Sequence, residues 1–171
     1  MSRSSNARVI LMFETLLPGV QHLQNIHPLV VHFPIAFLVG AALFYFLSWI
    51  FRNQTFATTA FLLLILGTLS AGAAVATGLY GEEGVMVSRS VREHLLETHE
   101  EIMLVTLGLS VVSCVWAFLG RPFPKKRRFL FLLLLLILLG SMTVGADYGA
   151  RMVYDYNAGG SACSQPIEFS K

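Results

Sequence analysis

Four long apolar stretches run along the chain, separated by short polar or charged breaks. The first extends from about Pro28 to Phe51 and the second from Thr55 to Tyr80. The third covers Ile102 to Leu119, with a polar, helical lead-in from about Ser88, and the fourth runs from Phe129 to about Met152. A helix that crosses a bilayer needs about 20 mostly apolar residues, a length that each stretch reaches, the third with its lead-in. The hydrocarbon core offers backbone groups no water, so these segments must be helices. The alternation expected of a barrel strand is absent. The pattern predicts an all-α membrane protein, a bundle of four transmembrane helices over residues 26–158.

The breaks give an orientation. Arg121, Lys125, Lys126, Arg127 and Arg128 lie between the third and fourth helices, and Arg52 ends the first on the same side. Short basic loops stay in the cytoplasm. Both termini and the loop from Gly81 to about Glu101 then face outward, which is the periplasm if the chain is bacterial. Residues 1–25 read as an interfacial segment with a short helix over Ala7–Leu17, ended near Pro18–Gly19. Glu14 interrupts that apolar run and no small-residue cleavage site follows, which argues against a signal peptide. Residues 159–171 read as a periplasmic tail.

Composition supports the membrane reading. Of 171 residues, 55% are hydrophobic and 13% charged, against about 25% charged in soluble domains. Mean hydropathy is +0.67. An ordinary soluble enzyme, a disordered tail and a disulfide scaffold are excluded. The net charge of +2, with five of the twelve Lys and Arg gathered in one loop, gives no face for nucleic acid. Cys114 falls mid-membrane and Cys163 in the tail, so an intrachain disulfide is not expected. No CxxCH is present for covalent attachment of a c-type haem.

The histidines hold the candidate chemistry. His22, His27, His32, His94 and His99 all fall on the outer side. His27 and His32 open the first membrane helix; His94 and His99 open the third. A spacing of five turns a helix by about 140°, so the members of a pair cannot share a face. His32 is flanked by Pro28, Leu29, Ile35 and Ala36, and His99 by Leu95, Leu96, Ile102 and Met103. Both stripes are apolar, so both imidazoles are expected to point into the bundle. Pro34 kinks or restarts the first helix, which puts His32 near a break. His27 precedes Pro28 at the helix start, free to bond backbone groups. His94 has the more polar neighbours and reads as wet.

One inward imidazole on each of two helices suits axial ligation of a b-type haem, with His32 and His99 as the ligands. The same two residues could bind another metal or serve as structural caps. Gly67, Gly72, Ala73, Ala74 and Gly78 of the second helix, with Gly140, Gly145 and Gly149 of the fourth, would let a flat porphyrin approach. Close helix packing is the alternative for those small residues. Asp147 and Arg151 are four apart and can pair. They read either as neighbours of the cofactor or as an interfacial ion pair among Tyr148, Tyr154 and Tyr156.

His27-Pro28-Leu29-Val30-Val31-His32-Phe33-Pro34-Ile35-Ala36 resembles the signature of the bacterial membrane family called domain of unknown function 2231. Leu96-Glu97-Thr98-His99 and Tyr148-Gly149-Ala150-Arg151-Met152-Val153-Tyr154 resemble its other two marks. The resemblance covers about residues 26–158 and implies a four-helix inner-membrane unit. Relatives joined to cytochrome c modules imply a link to electron transfer. The family often carries a histidine where this chain has Asp147, and Ala150 replaces the second glycine of that step. If that histidine is a ligand, part of the family site is altered here.

The expected function is a haem b-binding electron-transfer subunit with bis-histidine ligation near the periplasmic face. It would work with a membrane complex or a periplasmic cytochrome, His27 lying close by. A cofactor-free structural or assembly subunit, its outer segments docking partners, is the alternative. The lack of charge through the membrane centre argues against a small transporter.

Overall fold

The computed structural model describes residues 26–81, 87–156 and 158, and these are helical apart from short turns. Span 1 consists of α1 (His27–Val30) and α2 (His32–Phe51). Span 2 is α3 (Gln54–Gly81). Span 3 is α4 (Arg89–Val91), a π-helical turn (Arg92–Leu96) and α5 (Glu97–Leu119); span 4 is α6 (Arg128–Tyr156). Each is long and apolar enough to cross a membrane. The interfacial helix expected over Ala7–Leu17, His22, Cys163 and the tail lie outside the described residues.

The local chemistry explains the breaks. Pro34 has no N–H to close onto Val30, and the ladder opens there: Val31 separates α1 from α2, with Ile35 N reaching back to Val31 O at 3.4 Å. Arg52 ends span 1 in the left-handed conformation, φ 50°. Ser48 Oγ then donates to Asn53 O at 3.0 Å, and the Asn53 side chain accepts Thr55 N–H at 2.8 Å. Two residues therefore suffice to turn the chain into span 2. In span 3, Glu97 N–H reaches Arg92 O, five residues back, which widens one turn just before His99.

The spans touch in ring order: 1 on 2, 2 on 3, 3 on 4 and 4 on 1. The main core is built from Leu38, Ala41, Tyr45, Ala57, Ala60, Leu64, Phe131 and Leu138, all at most 1% exposed. A smaller core of Val91, Leu95, Leu96, Met152 and Ala158 closes the other end. Polarity is inverted relative to a soluble bundle. Phe33, Leu43, Leu69, Val105 and Leu136 are each more than half exposed, while Ser110 and Ser113 are fully buried. The buried hydroxyls are satisfied by backbone one turn back: Ser110 donates to Leu107 O and Ser113 to Leu109 O, both at 2.8 Å. Such a surface is stable only with lipid as its solvent.

Candidate functional site at the histidine end

Span direction alternates, so the starts of spans 1 and 3 meet the ends of spans 2 and 4. His27 and His99 come together there, ring centroids 6.3 Å apart and planes at 84°. The pair lies on diagonally opposed spans, and each ring is held by the neighbouring span. His27 Nδ1–H donates to Ala74 O at 2.9 Å, with Thr77 Oγ1 3.2 Å from the same nitrogen. His99 Nδ1–H donates to Gly145 O at 2.7 Å. A carbonyl only accepts, so both imidazoles carry a proton on Nδ1; in the neutral ring the lone pair is then on Nε2.

A glycine lies under each ring, four residues beyond the carbonyl that anchors it. A Cβ on Gly78 would meet His27 Cε1 at 3.1 Å, and one on Gly149 would meet His99 Cε1 at 3.1 Å. Histidine in one span, carbonyl and glycine at i and i+4 in the next: the same unit occurs in both halves of the chain. Other small residues serve packing. Gly67 admits Leu38, and Gly145 admits Met103 and Ile102. Gly72 and Gly140 have open space beside them.

Not all of the candidate residues are brought here. His32 is exposed on the outside of span 1, which corrects the expectation that it points inward. Its apolar flank faces lipid: Leu29 is 53% exposed and Ile35 39%. In a membrane protein an apolar stripe does not by itself mark the interior, because lipid solvates the same residue types. The inward residue of the first pair is His27, and the missed signal was Gly78, small enough to seat a ring. His99 does face inward, beside buried Leu95 and Leu96. His94 is exposed, its Nδ1–H on Ser90 O at 2.9 Å.

Asp147 is also exposed, half a turn away from the face that carries Gly145 and Gly149. The expected Asp147–Arg151 pair is not formed. Arg151 Nε lies 3.8 Å from Asp155 Oδ2 instead, with both side chains about half exposed (45% and 55%). Tyr148 and Tyr156 pack on the smaller core, and Tyr154 is 86% exposed. Among the described residues no group of three or more His, Cys, Asp or Glu could hold a metal ion.

A family model described as "Predicted membrane protein (DUF2231)" matches residues 23–162. No curated protein and no solved structure matches the chain.

Proposed function

The chain belongs to the DUF2231 family of predicted membrane proteins, and on that premise we propose that it is a b-type haem-binding electron-transfer subunit with His27 and His99 as the axial ligands. The observation that carries this reading is the 6.3 Å between the two imidazole centres. Metal–nitrogen bonds of about 2 Å, with roughly 1 Å more from nitrogen to ring centre, put two axial imidazoles about 6 Å apart. Ligating histidines characteristically give their other N–H to a carboxylate or a backbone carbonyl, as both do here. That bond fixes the ring and raises the basicity of Nε2.

The spacing of the two rings and their backbone bonds support a bis-imidazole site. His27 and His99 would hold the iron. Ala74 O and Gly145 O orient them, and Gly78 and Gly149 let the rings approach the helices. When bound, the haem would supply one-electron chemistry. Facing the periplasm of a bacterial inner membrane, the site would exchange electrons with a membrane complex or a periplasmic cytochrome.

One observation favours a cofactor-free subunit as the second reading. The rings already fill the space over Gly78 and Gly149, so each histidine can act as a staple between neighbouring spans. An absorption spectrum of the purified protein, oxidised and then dithionite-reduced, with a pyridine haemochrome assay, separates the two. The haem reading expects one b-type haem per chain, lost in His27→Ala and His99→Ala and kept in His32→Ala and His94→Ala. A colourless protein, expressed with ample haem, leaves the staple reading.

A further inference from the structure

The opposite end of the bundle carries a different site. The loop between spans 3 and 4 holds four cations, with Arg128 opening span 4, yet it is pinned to the core rather than draped over it. Phe123 is 6% exposed, its ring 5.1 Å from Tyr45 and 6.0 Å from Phe131. Tyr45 Oη–H donates to Pro122 O at 3.0 Å. Gly120 is required there, because a Cβ would come within 2.8 Å of Pro124 Cα. Arg121 is held over the Phe118 ring, 4.3 Å from its centroid.

This fixed loop borders an open cavity of about 670 Å³. Arg121, Lys125 and Lys126 give it three cations; Trp116, Leu119 and Pro124 give it an apolar floor. Leu119 is 80% exposed at the end of span 3, so the floor continues onto the lipid-facing surface. Every Asp and Glu among the described residues lies toward the histidine end, in spans 3 and 4. The cations therefore have no carboxylate of that set to neutralise them.

We propose that this cavity binds the phosphate headgroup of an anionic membrane lipid, with an acyl chain along Trp116 and Leu119. Three cationic residues bordering one cavity suit a phosphate oxyanion. The apolar floor, opening toward the bilayer, matches a tail that inorganic phosphate does not have. Basic pockets at the ends of membrane helices take anionic headgroups by this combination.

The test is native mass spectrometry of the full chain in mild detergent, titrated with phosphatidylglycerol, phosphatidylcholine or inorganic phosphate. Phosphatidylglycerol is expected to stay bound, and phosphatidylcholine to dissociate at much lower collision energy. Both lysines are exposed, so K125Q/K126Q leaves the core untouched. That variant should weaken phosphatidylglycerol binding roughly thirtyfold. R52Q/R127Q removes the same charge from the same end of the bundle, outside the cavity and without touching Arg128, which stacks over Phe123, and should change binding less than about threefold. Equal losses in the two variants would reduce the effect to general attraction and overturn the site. Inorganic phosphate binding as tightly as the lipid would overturn the lipid assignment.

Discussion

At the scale of single residues, the histidine end is decided by what lies beneath each ring. Gly149 has no Cβ, and His99 occupies that space. Gly149→Ala should push the imaged ring off Gly145 O and cost about 1–3 kcal/mol, the usual penalty of overfilling a packed site. Gly72→Ala is the matched control: nothing lies within 4 Å of its Cβ position, and alanine is the better helix former by about 1 kcal/mol. Thermal unfolding in detergent should show the first variant destabilised and the second unchanged or stabilised. The two histidine pairs share a spacing of five in the sequence, but not a geometry. His99, the second of its pair, does point inward, but the apolar flank behind that expectation is of the same kind as the one beside His32, and only the structure shows that Leu95 and Leu96 are core residues. His32 was not legible, because lipid and protein interior attract the same residue types. Neighbours along a span cannot separate the two faces. The glycine on the facing span can, but only once the partner span is known.

At the scale of elements, the four spans were legible to within a few residues, since length and hydropathy alone determine them. The π-turn was not, as no single residue in Arg92–Leu96 demands it. Nor were the contacts that join spans 3 and 4. Thr106 Oγ1 lies 2.8 Å from Ser141 Oγ, a hydroxyl pair between two apolar helices. Thr106→Val keeps the shape and removes the bond. It should cost about 0.6 kcal/mol, and under about 2, since hydroxyl bonds in membranes are weak. A double-mutant cycle with Ser141→Ala should return most of that energy as coupling. The basic loop is anchored differently, by one aromatic cluster and the Tyr45 hydroxyl. Tyr45→Phe should cost about 1 kcal/mol for the lost bond. It should also speed tryptic cleavage after Lys125 and Lys126, read as the rate of appearance of one fragment holding spans 1–3 and one holding span 4.

At the scale of the whole molecule, charge separates the two ends: basic loop at one, acidic residues and the histidine pair at the other. The positive-inside rule then expects the basic end in the cytoplasm. In a Cys163→Ser background, Thr98→Cys should react with a membrane-impermeant maleimide added to intact spheroplasts. Lys126→Cys should react only after permeabilisation. The reverse pattern would invert the orientation. The pairing of His27 with His99 also has a consequence at this scale. Each half of the chain is a helical hairpin that seats its own imidazole: span 1 on span 2, span 3 on span 4. The two rings meet only across the seam between the hairpins. Neither hairpin owns a site. It comes into existence when the halves dock, so a sliding of one hairpin past the other by a single turn would dismantle it without unfolding either.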